Sequence, residues 1–240
     1  LLTDFIDWFK PDLILSMKTE LVHPELIKQQ TAITALWHPD YENPLPEWLV
    51  NLADAYDYFF TVCKGMTEEF HVGDHSIKPL WLPEAYCDFR IKPVNVSGVE
   101  KEKYGSDVAF IGTDKPRPVK VLERVVAEGF NLKIWGAQVN NGWKNAGLEK
   151  YWIGYRTTDE ELSKICASSK IILGVSEEKK RNCAVCFSAR VYQTCGARGF
   201  LLEERSKGIE EMFSDGTDLV LWDNEDDLAS KIKKYLENQD

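Results

Sequence analysis

The sequence predicts an α/β protein of two consecutive domains, each built from parallel strands and covering helices. Three observations carry this. Short apolar runs alternate with helix-period segments almost throughout, the pattern of βα units. That alternation lapses between Glu84 and Gly105, where charged and turn residues gather as in an interdomain connection. The 240 residues, 44% of them hydrophobic, supply enough apolar side chain for two small cores.

The first series spans 1–83. Leu1–Phe9 reads as the end of a helix, and Pro11 introduces a strand at Asp12–Ser16. A helix opens at Pro24, since proline suits a first helical turn. The next strand, Thr31–Trp37, runs into Trp37-His38-Pro39-Asp40. Pro39, Pro44 and Pro46 shape a loop before the helix Trp48–Ala55. Strand Asp57–Val62, a short helix Met66–Val72 and strand Ile77–Leu82 follow, closed by Pro83. The chain has no initiator Met and no glycine-rich strand and turn ahead of its first strand. The first domain is therefore expected to be truncated at its N-terminus or unusually small.

After the connection at 84–105, the second series covers 106–222. It comprises strand Asp107–Ile111, helix Val119–Glu128, strand Leu132–Trp135, helix Asp159–Ala167 and strand Lys170–Val175. Ser188 then serves as the N-cap of a helix that Gly196 to Gly199 stops. Val191, Tyr192 and Cys195 are expected on its buried face. Strand Phe200–Leu202, helix Ile209–Phe213 and strand Leu219–Leu221 complete the domain. A last helix, Asp226–Leu236 within 223–240, has apolar residues at 228, 232, 235 and 236 and hence one sticky face.

A formal net charge of −10 argues against nucleic acid or an anionic membrane as partner, while leaving room for a small basic pocket. No apolar run reaches the roughly 20 residues that span a bilayer, and no signal-peptide pattern opens the chain. Six cysteines stand at 63, 87, 166, 183, 186 and 195, without the look of a secreted disulfide framework. They read as reduced thiols of a cytoplasmic protein. Cys183-Ala-Val-Cys186 has metal-pair spacing but no second pair and no nearby His, so no metal site is expected. Lys179-Lys180-Arg181 reads as a solvated loop. The eight Trp are mostly core, with some expected to line a groove or domain interface.

The residues that suggest chemistry sit at strand ends and at one helix start. Asp107-Val-Ala-Phe-Ile-Gly112 ends in a glycine turn, Gly112-Thr113-Asp114, whose backbone N–H groups suit phosphate. Trp135-Gly136 repeats the device with an aromatic that could meet a nucleotide base. There is no GxGxxG and no GxxxxGK[ST], so neither a dinucleotide fingerprint nor a P-loop is present. Arg190 and Gln193, three apart, project from neighbouring positions beside Ser188. A cation and an amide there suit a ligand carrying phosphate and sugar hydroxyls; the alternative is a solvated amphipathic helix. His38 and Asp40 follow a strand end and either could act as a general base. The alternative for His38-Pro39-Asp40 is a turn former.

These segments together resemble the donor-binding domain of GT-B glycosyltransferases, and most closely the CgeB-like, spore-maturation-type branch of glycosyl transferases group 1. Ser188 to Leu202 resembles that family's pattern of Arg, two apolar residues, Glu, a small glycine turn and Phe-Leu-Leu. Gly208-Ile-Glu-Glu-Met-Phe213, Asp215-Gly216 and the strand to Trp222 are similar to its C-terminal run. Pro11 to Leu15 and Trp37 to Asp40 are similar to the end of its acceptor-side domain. The resemblance implies two Rossmann-like domains facing a cleft and a cytoplasmic, metal-independent transferase without a cofactor. Its donor would be a nucleotide-diphosphate sugar, its acceptor a saccharide, protein or other hydroxyl compound. It places Gly112, Thr113, Trp135, Gly136, Ser188, Arg190 and Gln193 at the donor and His38 and Asp40 at the acceptor. Arg190 would lie near the diphosphate and Gln193 where the family has a ribose-binding Glu. A second family Glu would fall at Val185, with Glu177 or Glu178 as conceivable substitutes. Two other readings remain open: a sugar-nucleotide- or partner-binding protein of the same fold without turnover, and a phage-type transferase acting on DNA bases.

Overall fold

The computed structural model describes residues 2–42, 45–69, 78–154 and 156–238. Leu1, Pro44, the end of the expected helix Met66–Val72 and the start of the expected strand at Ile77 lie outside them. The chain divides into two compact units, 1–84 with Cys183–Cys186, and 85–182 with 187–240.

The first unit contains α1 (Leu2–Phe9), β1 (Leu13–Met17), α2 (Pro24–Lys28), β2 (Ile33–His38), α3 (Glu47–Ala53), β3 (Tyr58–Thr61), α4 (Lys64–Glu69) and β4 (Leu80–Trp81). Its four strands pair in chain order, all parallel. Leu36, Leu49, Leu52 and Phe59 form the centre of its core, with Ile27 from α2. Asp57 fixes the start of β3 against β2: its carboxylate accepts from the Thr34 amide and hydroxyl at 2.8 and 2.9 Å.

The second unit contains α5 (Gly98–Tyr104), β5 (Val108–Ile111), α6 (Pro116–Ala127), β6 (Leu132–Trp135), α7 (Gly142–Asn145), β7 (Trp152–Gly154), α8 (Asp159–Ser168) and β8 (Ile171–Gly174). It continues with α9 (Glu178–Asn182), α10 (Ala189–Gly196), β9 (Leu201–Glu204), β10 (Val220–Trp222) and α11 (Glu225–Glu237). The six strands are parallel in the order β10-β9-β8-β5-β6-β7. Numbered within the unit this is 3-2-1-4-5-6 read from the other edge, the Rossmann order, with its switch point between β5 and β8. Phe110, Leu122, Ile134, Leu173 and Trp222 form the core, and α11 adds Leu228 and Ile232. β5 and β8 are buried at every position, as expected of central parallel strands covered on both faces.

Four expectations are corrected. The segment 84–105 is more than a connection: it ends in α5, which belongs to the second unit and packs on α8. Its capping box was legible, with Ser97 Oγ accepting from the Glu100 amide and Glu100 accepting from the Ser97 amide. Residues Cys183–Cys186, expected in the second domain, pack in the first unit. Two backbone bonds hold them there, Lys64 N to Val185 O at 3.3 Å and Gly65 N to Ala184 O at 2.9 Å. The cysteines are not all reduced thiols, because Cys63 and Cys186 form a disulfide across 123 residues. Lys179 to Arg181 lies on α9, and Arg181 pairs with the buried Glu204 at 2.9 Å.

Candidate functional site

Ligands of open α/β sheets bind beyond the carboxyl ends of the strands at the switch point. In the second unit that region is made by Gly112 after β5, Gly136 after β6, Gly174 at the end of β8 and Glu203-Glu204 at the end of β9. Gly136 has φ +129°, and a Cβ there would fall 1.8 Å from the Gly112 carbonyl oxygen. No side chain fits, so the two strand ends close against each other through bare backbone.

Arg190 enters this region from the first turn of α10. Its guanidinium carbon sits 5.1 Å from the centre of the Phe110 ring, a cation–π arrangement. A Cβ on Gly112 would fall 2.7 Å from its Nη2, so the guanidinium occupies the space that a side chain there would need. Burial lowers the Arg190 pKa from its ordinary value, and the Glu203 charge opposes that shift. The guanidinium is thus a weakly hydrated cation held at the end of β5. Ser188 caps the helix, its Oγ accepting from the Arg190 amide at 3.4 Å. The buried face of α10 is Val191 and Thr194 rather than the expected Val191, Tyr192 and Cys195.

Glu203 and Glu204 were not singled out from the sequence, yet both are buried. Glu204 is compensated: Arg117 and Arg181 both donate to its Oε1, and the Ser176 amide to its Oε2 at 3.2 Å. Glu203 is not. Ser176 Oγ donates to Oε1 at 3.3 Å, while Oε2 is buried without a hydrogen-bond partner among the described residues. Burial pushes its pKa up to about 7, against the Arg190 charge and the Ser176 bond, which lower it. Gly174 makes this possible, because a Cβ there would fall 1.4 Å from Glu203 Oε2. The sequence signal was a third glycine at a strand end, Leu173-Gly174-Val-Ser176.

Asp114 organises the loop after β6. It accepts from the backbone N–H groups of Val139, Asn140 and Gly142 at 2.6, 2.9 and 2.6 Å. Burial opposes its ionisation, but these donors prevail and its pKa is lowered. Asp114→Asn turns an NH₂ toward backbone donors and removes the charge. It is expected to destabilise the protein by about 2 kcal/mol, measured by urea denaturation at pH 7; an unchanged midpoint would refute this role.

Thr113 is half-buried, its carbonyl accepting from the Lys115 amide. Trp135 is 5% exposed, which leaves little ring face for a base. Gln193 lies partly exposed on α10, one turn beyond Arg190. Glu177, a suggested substitute acid, pairs with Lys115 at 3.0 Å. In the first unit His38 ends β2 as a buried residue, 2% exposed, its ring edge-on to Trp48, and its Nε2 lacks a partner among the described residues. Burial lowers its pKa despite the charge of Asp40, so the imidazole is neutral at pH 7. Asp40 is more exposed and pairs with Lys18 at 2.5 Å.

A family model described as glycosyl transferase-like matches residues 117–240. The chain belongs to that family. No curated protein matches this glycosyl transferase-like chain. Among solved structures, sucrose-phosphate synthase from Thermosynechococcus elongatus superposes with a TM-score of 0.71 at 10% identity, covering 99% of this chain and 67% of that one. HepE of Anabaena, in complex with UDP and glucose, gives 0.70 at 12% identity, covering 99% and 72%. An α-glucosyltransferase in complex with UDP and a 13-mer DNA gives 0.63 at 9% identity, covering 94% and 71%. The glycosyl transferase-like chain therefore has the α/β fold of GT-B enzymes, with parallel sheets. None of its described helices is long and apolar enough to cross a membrane.

Proposed function

We propose that this chain transfers a sugar from a nucleotide-diphosphate sugar to a hydroxyl acceptor, as a CgeB-like member of its family. The observation that carries the reading is Arg190 lying against Gly112 at the switch point of the six-stranded sheet. A guanidinium held there meets the diphosphate with paired donors and offsets the charge that develops on it as the sugar departs. That provision makes the reaction metal-independent. The proposed donor site further comprises Thr113, Gly136, Ser188 and Gln193. His38 or Asp40 takes the acceptor proton: His38 offers a neutral imidazole and Asp40 a carboxylate. HepE and the DNA-bound α-glucosyltransferase, both described as complexes with UDP, support a nucleotide donor.

UDP, GDP, ADP and dTDP, tested singly, are expected to include one that raises the melting temperature. At a concentration of about 100 Kd the linkage is worth roughly 2.7 kcal/mol. No shift with any of the four would sink the reading. The second reading, a sugar-nucleotide binder without turnover, is favoured by Gln193 and Val185 standing where the family has glutamates. Gln193→Glu separates the two. Restoring the charge-assisted bond to ribose should tighten donor binding about tenfold in a working site. No response, with no donor turnover by the unaltered protein, would leave the binder. The DNA-base reading gains no observation beyond shared fold, and the net charge of −10 opposes it.

A further inference from the structure

Three sulfurs converge in the first unit. The Sγ atoms of Cys63, Cys183 and Cys186 all lie within 4.8 Å of one another, and all three residues are buried. Cys63 directly follows Val62 just beyond the end of β3, whereas Cys183 and Cys186 bracket a tight loop far along the chain. The disulfide joins Cys63 to Cys186, and Cys183 stands beside it.

The loop is built to hold this geometry. Val185, β-branched, has φ +47°, a conformation such a residue adopts only when its surroundings impose it. Those surroundings are the two backbone bonds from Lys64 and Gly65. Gly65 is also where the chain segments touch: a Cβ there would fall 2.6 Å from Cys183 Sγ and 2.9 Å from the Ala184 nitrogen. A disulfide alone would require two sulfurs, whereas this arrangement brings in a third, at the two-residue spacing typical of metal-binding cysteine pairs.

We propose that Cys63, Cys183 and Cys186, once reduced, form a site for a divalent thiophilic cation of the zinc class. A phosphine opens the disulfide: phosphorus takes the oxygen of one water, and that water's two protons end on Cys63 and Cys186. The cation then displaces three thiol protons and is held by three thiolates. Zinc–sulfur bonds of about 2.3 Å in a tetrahedron place thiolates roughly 3.8 Å apart, so side-chain rotation within the present cluster suffices. Water completes the tetrahedron. Soft ligands select zinc-like or cuprous ions, and burial decides between them. Three thiolates leave a net charge of −1 on a divalent ion but −2 on a monovalent one, and the surrounding Val62, Met66 and Trp37 are apolar. The less charged complex is the less costly to bury.

The test uses the whole chain, reduced with a phosphine and dialysed against zinc. One zinc per chain should remain, and Cys183→Ser should weaken zinc binding by on the order of 100-fold or more, although it keeps both disulfide cysteines. Cobalt on the unaltered protein should give sulfur-to-metal charge transfer of the intensity of three thiolates, a readout independent of the variant's folding. The proposal is overturned if Cys63, Cys183 and Cys186 react freely with no zinc bound, if Cys183→Ser holds zinc equally well, or if cobalt shows two thiolates or fewer.

Discussion

Replacing Arg190 with alanine is expected to lower kcat/KM for sugar transfer by about 10²- to 10³-fold, the loss seen when one preorganised charge-stabilising donor is removed from a transition state. The cation sits partly desolvated against Phe110 and Gly112, where its attraction for a diphosphate is stronger than in water. Arg190→Lys keeps the charge but loses the planar fork, so its activity should fall between the two. Lysine keeps a cation for the Phe110 ring but cannot fork onto the diphosphate, so urea midpoints that stay level while activity falls separate this role from a structural one. Donor binding by calorimetry should weaken by less than kcat/KM falls, because the charge that Arg190 meets grows as the sugar departs. An Arg190→Ala enzyme within about threefold of the unaltered rate would remove the guanidinium from the mechanism.

Glu203→Gln is expected to change how stability depends on pH. The folded-state pKa of Glu203, about 7, lies above its ordinary value of 4.5, because burial disfavours the carboxylate. Its contribution is therefore fully present below pH 4.5, where both states are protonated. As pH rises from 4.5 to 7 the unfolded chain releases a proton that the folded chain retains, and stability falls. Above pH 7 the loss is complete and on the order of 3 kcal/mol. The glutamine amide resembles the neutral acid at every pH. The variant should therefore match the unaltered protein near pH 4.5 and exceed it at pH 8, as read by urea midpoints across that range. Parallel pH profiles for the two proteins would show that Glu203 keeps an ordinary pKa. Arg190→Ala should push the same titration higher, since the Arg190 charge now holds it down.

Much of the frame was legible because it is local. β6 spans Leu132–Trp135 as expected, and α10 starts at Ser188 because its hydroxyl caps the helix wherever the chain leads. The shifts of a residue or two at β1 and β2 reflect ladder partners, which periodicity does not specify. α5 went unread although Ser97-Gly-Val-Glu100 carries a capping box, because its apolar face is slight and charged residues surround it. The short β7, an edge strand directly after a 3₁₀ turn, left no periodic run to detect.

The site divides in the same way. Sequence alone determined the α/β alternation, the glycines that end β5 and β6, and Arg190 beside a helix start. These depend on backbone preferences within a few residues. Only the tertiary structure decided that β8 pairs with β5, and hence that Arg190 meets Gly112 at a switch point. It also decided that Glu203 is buried over Gly174, and that Cys63 meets Cys183 and Cys186. Strand order and burial follow from packing between segments far apart in sequence, and no periodicity along the chain encodes which of them become neighbours.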